Sequence, residues 1–224
     1  MQETIRILMT DDHPMIIEGY QNTLLATKKE TQELQIDIAN TCDQSMQLMQ
    51  RSIEDENPYD ILFMDISLPP SADETITSGE DLSKYAREIL PEAKIVILTM
   101  FNEPYRIHNI IKEIKPEGFV VKSDLTSREL ASAFQAVVNN PPFYSTTVTR
   151  FLRTTLESEI EIDDIDRKIL YLLSQGVKTK SLTNHLGVST SSIEKRKKNL
   201  KEVFSVLDSQ DETLLNEARK KGFL

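Results

Sequence analysis

Residues 61–69, ILFMDISLP, run four apolar side chains in succession into a single aspartate, Asp65, with Pro69 four positions further on. An apolar run with no polar alternation is what a parallel strand needs when helices cover both of its faces. The same plan recurs along the first part of the chain. Ile5–Met9 leads to Asp11 and Asp12, Ile95–Leu98 to Thr99, and Phe119–Val121 to Lys122. Leu34–Ala39 alternates apolar and polar residues, as a half-buried strand does. Amphipathic stretches between these runs predict helices at Pro14–Leu25, Asp43–Arg51, Asp81–Ile89, Pro104–Ile114 and Ser127–Val138. Pro14 suits a first turn and Asp43 an N-cap. Five strand–helix repeats predict an α/β domain with a doubly wound, five-stranded parallel sheet. In such a sheet the functional crevice lies at the carboxyl ends of the strands, and Asp11, Asp12, Asp65, Thr99 and Lys122 all fall there. No Gly-rich phosphate loop follows the first strand, which argues against nucleotide binding of the Walker or Rossmann type.

Three carboxylates converging on one crevice repel each other unless a cation or a proton intervenes. Hard oxygen ligands in that number suit Mg2+, which keeps several waters and bridges carboxylate to phosphoryl oxygens. An aspartate beside such an ion is a nucleophile for a phosphoryl group. Lys122 would pair with one phosphoryl oxygen, and the Thr99 hydroxyl would donate to another.

The segments MTDDHPMIIEGY (9–20), FMDISLP (63–69), ILTM (97–100) and GFVVKSD (118–124) resemble, in order and spacing, the signatures of two-component response-regulator receivers, which have a flavodoxin-like fold. The resemblance covers residues 3 to about 140. It implies that Asp65 is the phosphoacceptor, Asp12 the direct metal ligand, and Asp11 an acidic neighbour acting through water. It also implies that the Ser67 backbone carbonyl completes the metal site. Thr99 and Lys122 match the pair that contacts the phosphoryl group, and Thr99 and Phe119 match the switch residues. The loop after Asp65 is longer than the family's: the expected glycine comes only at Gly79, and the intervening PSADETITS (70–78) reads as a mobile flap. A dehalogenase-like phosphatase also uses a strand-end aspartate, but it needs a second aspartate two residues later, where this chain has Ser67.

Pro141-Pro142 ends the fifth helix and marks a boundary. The organisation read from the sequence is a receiver at 1–140, a partly helical linker at 141–161 and a small all-α module at 162–224. Charge follows the same division. The whole chain of 224 residues carries a net charge of −10, which by itself argues against nucleic acid. Residues 166–201, however, hold nine basic side chains against two acidic ones, as expected for a nucleic-acid reader behind an acidic regulatory domain. KILYLLSQGVKTKSLTNHLGVSTSSIEKRKKNL (168–200) and ETLLNEARKKGFL (212–224) resemble the LuxR-type helix-turn-helix of the NarL/FixJ family. In that resemblance Gly176 ends the first helix and Ser189 caps the recognition helix. Ile193, Leu200 and Phe204 lie on the recognition helix's buried face. DNA contacts are then expected from Lys178, Thr179 and Lys180 at the scaffold helix and from Ser191, Ser192, Lys195, Lys198 and Asn199 on the recognition helix. Glu194 stands where the family has a basic residue.

The expected protein is therefore a DNA-binding response regulator, not an enzyme beyond the making and losing of its own aspartyl phosphate. Its expected cofactor is Mg2+, and its expected partners are a sensor histidine kinase, duplex DNA and, when phosphorylated, a second copy of itself. The alternatives are a phosphorylation-independent DNA binder or a protein-interaction adaptor that uses the receiver as a dimerisation platform. No apolar stretch approaches the roughly 20 residues of a membrane span and the N-terminus lacks a signal-peptide pattern, so a cytoplasmic location is expected. The lone cysteine, Cys42, reads as a small buried hydrophobe. The three histidines show no metal-ligand spacing.

Overall fold

The computed structural model of the chain describes residues 3–158, 160–208 and 210–224. By its contacts the chain divides into two compact units. One runs to Asn102 and resumes over Asn109–Val148; the other joins Glu103–His108 to Thr149–Leu224.

The first unit alternates β1 (Glu3–Thr10), α1 (Pro14–Thr27), β2 (Gln32–Ala39), α2 (Cys42–Glu54), β3 (Ile61–Asp65), α3 (Gly79–Ile89), β4 (Lys94–Thr99), α4 (Pro104–Ile114, of which the residues up to His108 are assigned to the other unit), β5 (Gly118–Val121) and α5 (Ser127–Asn139). A short β6 (Phe143–Tyr144) follows, and α6 (Thr146–Glu157) begins in this unit and ends in the other. The strands form one sheet in the order β2-β1-β3-β4-β5-β6, every pair parallel. Every residue of β3 and β5 is buried, which is why those runs carry no polar alternation. Ile7, Met9, Ile17, Leu24, Phe63, Val96, Val120, Leu130 and Phe134 form the core on the face that α1 and α5 cover. Each such aliphatic side chain contributes about 1.5–3 kcal/mol by leaving water.

The sheet has six strands, not the five expected. Two residues are too short for any periodicity, and Pro141-Pro142 reads as the end of structure. The sixth strand exists because the Phe143 amide donates to the Glu117 carbonyl (2.9 Å) and the Ser145 amide to the Phe119 carbonyl (3.0 Å). Two local expectations also change. The N-cap of α2 is Thr41, whose side chain accepts from the Gln44 amide, while Asp43 accepts instead from the Ala72 amide at 3.1 Å. The segment 70–78 is bonded to itself and to α2 and is not a free flap: the Ser71 amide donates to the Ile76 carbonyl at 2.8 Å. Asp73 accepts from the Ser71 and Thr75 hydroxyls at 2.7 and 2.8 Å, and this holds its carboxyl down at about 2. The Cys42 Sγ, buried as expected, donates to the Pro69 carbonyl at 3.2 Å.

The second unit holds α7 (Asp164–Ser174), a 3-10 turn at Thr179–Ser181 running into α8 (Leu182–Leu186), α9 (Thr190–Val203) and α10 (Asp211–Lys220). Asp163 caps α7 and Ser189 caps α9 through side-chain oxygens. Gly176, which follows α7, has φ 82°, and Gly187 closes α8 at φ 65°, the left-handed region that lets a helix stop. Ile169, Leu170, Leu173, Leu182, Ile193, Leu200, Phe204, Leu214, Ala218 and Phe223 make its core.

Candidate functional site

The parallel register brings the acidic residues together. β1 pairs with β3 up to Thr10 opposite Met64, so Asp11 and Asp65 are the next residues on adjacent strands. β3 and β4 pair up to Asp65 opposite Leu98, and β4 and β5 up to Thr99 opposite Val121, which sets Lys122 one position beyond. Lys122 Nζ donates to Asp11 Oδ2 at 2.7 Å and to Asp65 Oδ2 at 2.9 Å. Both carboxylates are about 2 % exposed and the lysine side chain 7 %. Burial opposes the charge on Lys122, but the hydrogen bonds and charges of Asp11 and Asp65 outweigh it and raise its pKa.

The remaining oxygens of the two aspartates are held by their own loops. Asp11 Oδ1 accepts from the His13 amide at 3.0 Å, and Asp65 Oδ1 accepts from the Ser67 amide at 3.2 Å. That second bond holds the Ser67 amide against the Asp65 carboxylate. The Asn40 side-chain amide donates to the Asp11 carbonyl at 2.9 Å, and Asp11 itself donates its amide to Ala39.

Asp11, Asp12, His13 and Asp65 each offer a ligand atom within 4.8 Å of the others. Asp12 Oδ1 is buried and accepts no hydrogen bond among the described residues. His13 Nδ1 lies 2.7 Å from it, but the contact does not have hydrogen-bond geometry. A buried carboxylate oxygen without a donor, beside two more carboxylates, is the donor set a hard divalent cation takes, so the residues fit Mg2+. His13 is the member the sequence reading missed; its only signal was adjacency to Asp12.

Thr99 is fully buried at the end of β4, and its Oγ1 accepts from the Phe101 amide at 3.0 Å. Phe119 is also fully buried on β5. Met100, the residue after Thr99 on the chain, is 64 % exposed. Tyr20 on α1 was not singled out from the sequence. Burial raises its pKa to about 12; the Lys122 charge opposes this, while those of Asp11 and Asp65 add to it.

In the second unit the basic residues of α9 divide into two sets. Arg196 pairs with Asp163 at 2.8 Å and Asp166 at 2.9 Å. Lys197, 7 % exposed, reaches Asp211 at 2.7 Å and the Thr179 hydroxyl at 2.9 Å. Lys201 reaches Asp211 at 3.1 Å. These three are spent inside the fold, and Thr179 with them. Lys178, Lys180, Ser191, Lys195, Lys198 and Asn199 are exposed, as is Glu194, while Ser192 is half-buried behind the Ser189 cap.

No family model matches the chain. The transcriptional regulatory protein MctR of Rhizobium johnstonii is 27 % identical over 206 residues, 90 % of this chain and 88 % of MctR. The oxygen regulatory protein NreC of Staphylococcus carnosus is 23 % identical over 232 residues, 98 % of this chain and 99 % of NreC. Among solved structures, the fold resembles RcsB in the structure of two RcsB dimers bound to two parallel DNAs, with a TM-score of 0.62, 21 % identity, and 97 % and 98 % of the two chains covered. It also resembles RcsB of Salmonella enterica serovar Typhimurium bound to promoter rprA with the phosphomimetic BeF3−, with a TM-score of 0.61, 20 % identity, and 95 % and 97 % covered. These relatives and neighbours are NarL/FixJ-type two-component response regulators.

Proposed function

We propose that this chain, a two-component response regulator of the NarL/FixJ type, accepts a phosphoryl group on Asp65 from a sensor histidine kinase and thereby controls how its 162–224 module binds duplex DNA. The observation that carries the reading is the bridge of Lys122 between Asp11 and Asp65 in a crevice at the carboxyl ends of β1, β3 and β5. An Asp65 carboxylate oxygen attacks phosphorus, the P–N bond to the kinase histidine breaks, and its electron pair stays on the imidazole. Lys122 is already within reach of Asp65 to meet a phosphoryl oxygen, and Thr99 stands on the adjoining strand to offer its hydroxyl to another. Asp11, Asp12 and Asp65 with the Ser67 carbonyl would hold Mg2+. When bound, the ion neutralises charge on the incoming phosphoryl group. The chain acts on no other substrate in this reading, which makes it a regulator and not an enzyme.

For the DNA side, Lys178, Lys180, Lys195, Lys198, Ser191 and Asn199 are the exposed contacts, Ser192 and Thr179 flank them, and Ser189 sets the start of α9. RcsB is described as dimers on DNA and as bound to a promoter with BeF3−, which supports a phosphorylated homodimer on duplex DNA for this chain. No helix of the described residues is long and apolar enough to cross a membrane, in keeping with a cytoplasmic site of action. One observation favours a protein-interaction adaptor instead: Arg196, Lys197 and Lys201 are engaged internally while Glu194 is exposed on α9.

The test is intact mass after incubation with Mg2+ and a small phosphodonor, followed by a DNA shift assay with and without that treatment. Wild type gains one phosphoryl group, Asp65→Asn gains none, and the shift strengthens only in treated wild type. Equal shifts in both would select the phosphorylation-independent binder, and no salt-sensitive shift in either would select the adaptor.

A further inference from the structure

The turn that carries Lys122 is tied to the helix that leaves the sheet. Lys122–Asp124 forms a single 3-10 turn after β5. Asp124 Oδ2 accepts from the Ser145 hydroxyl at 2.7 Å and from the Thr147 amide at 2.8 Å, while Oδ1 accepts from the Thr147 hydroxyl at 2.9 Å. The Ser145 Oγ in turn accepts from the amide of Val121, the residue before Lys122, at 3.2 Å. Ser145 is 3 % exposed, and its own amide donates to the Phe119 carbonyl at 3.0 Å. The result is a closed ring of hydrogen bonds from β5 through Ser145 to Asp124 and back.

The chemistry of this ring is unusual for a cap. The first amides of a helix have no partner within it, and a carboxylate there is favoured by the helix dipole. Helices generally take that carboxylate from their own N-cap or first turn. Here the carboxylate belongs to the Lys122 turn, so α6 is capped by a residue two positions from the lysine that bridges Asp11 and Asp65. A displacement of Lys122 that carries its turn along cannot leave the cap of α6 unchanged.

We propose that Asp124 is a positioning residue that couples the Lys122 turn to the first turn of α6, so that the state of Asp65 is relayed into the helix that leads, in sequence, to the 162–224 module. The inference rests on the proposed phosphorylation of Asp65. It adds a residue and a route that neither the switch pair nor the acidic site requires.

The test uses full-length protein with and without BeF3− and Mg2+ and follows two quantities. One is hydrogen exchange at the amides of residues 147–150. The other is the ratio of duplex-DNA affinity between the loaded and unloaded states. In wild type, loading changes the exchange and the ratio exceeds one. In Asp124→Ala, exchange at Thr147 rises about fivefold or more with loss of the cap. Loading no longer alters that exchange, and the affinity ratio falls to within about twofold of one, although the variant still takes up BeF3−. If the alanine variant melts before it can be assayed, Asp124→Asn keeps the shape and one carbonyl acceptor and should show a partial loss of the ratio. Faster exchange with a wild-type ratio would mean that Asp124 is a cap and nothing more, which overturns the relay. Wild type that binds BeF3− yet has a ratio of one removes phosphorylation control and the relay with it. Wild type that takes up no BeF3− removes the receiver reading itself.

Discussion

Gly79 lies directly against the backbone carbonyl of Asp65: a Cβ built on Gly79 would overlap the Asp65 oxygen and crowd the Ile66 Cα. The Gly79 amide donates to the Ile66 carbonyl at 3.2 Å. The start of α3 is therefore laid on the strand end that presents the candidate phosphoacceptor. The nine residues of 70–78 are accommodated as a self-bonded loop before the chain reaches this contact.

Gly79→Ala should therefore destabilise the protein by about 2–3 kcal/mol, because the obstacle is backbone and cannot swing aside. Denaturant unfolding followed by a probe in the first unit would measure it, and phosphorylation from a small phosphodonor should slow in parallel. A cost below about 0.5 kcal/mol, within the range of ordinary surface changes, would mean that the contact yields easily.

Lys122→Ala leaves two carboxylates, each about 2 % exposed, facing each other without a cation. Removing one partner from a buried ion pair costs about 3–5 kcal/mol, and Mg2+ should restore part of that loss. The expected observation is a melting temperature far below wild type in chelator that rises on adding Mg2+. A variant as stable as wild type in chelator would contradict the bridge.

The same lysine predicts an alkaline effect. Its folded pKa is raised, so its contribution is complete below the unfolded value of about 10.4 and is lost as pH rises through the folded value. Unfolding midpoints of wild type should fall as pH climbs past about 10, and Lys122→Met should show a flatter profile there. Parallel profiles for the two proteins would remove Lys122 as the cause.

In the second unit Asp211 gives the opposite sign. Burial acts to raise its carboxyl pKa, but hydrogen bonds from Lys197 and Lys201 and their charges prevail and lower it. Its contribution is complete above the unfolded value of about 3.9 and vanishes as pH falls through the folded value. Asp211→Asn should cost about 1–2 kcal/mol at pH 7, and the difference should close in acid. A difference that persists below pH 3 would point to packing, not charge.

Three neighbouring lysines on α9 should separate stability from DNA binding. Lys197→Ala should lower the unfolding midpoint, because it removes one of the two lysines that hold Asp211. Lys195→Ala and Lys198→Ala, both on exposed positions, should leave the midpoint alone. Each should weaken duplex binding and reduce the slope of log affinity against log salt by about one. Unchanged binding in both exposed variants would favour the adaptor reading.

Periodicity and strand-end chemistry were enough to read the first unit's five main strands and its helices, because burial on two faces forces unbroken apolar runs and burial on one face forces alternation. The carboxyl-end residues Asp11, Asp12, Asp65, Thr99 and Lys122 were legible for the same reason, since a parallel sheet puts every such end on one edge. The helix stop at Gly176 and the cap at Ser189 were legible through the resemblance to the LuxR-type helix-turn-helix. Contacts between residues distant along the chain left no such trace. β6 is made by hydrogen bonds to β5 and not by its own two side chains. Asp43 looks like a cap until the 70–78 loop folds back to claim it, and His13 joins the acidic site only once Asp65 arrives from another strand. Lys197 gives no sign in the sequence of the inward role it takes, hydrogen-bonded to Asp211 and the Thr179 hydroxyl. Asp124 becomes a cap for α6 only when β6 runs beside β5. In each case the partner is distant in sequence, 14 residues for Lys197 to Asp211 and 29 for Asp43 to Ala72, and side-chain chemistry alone does not specify a partner at that range.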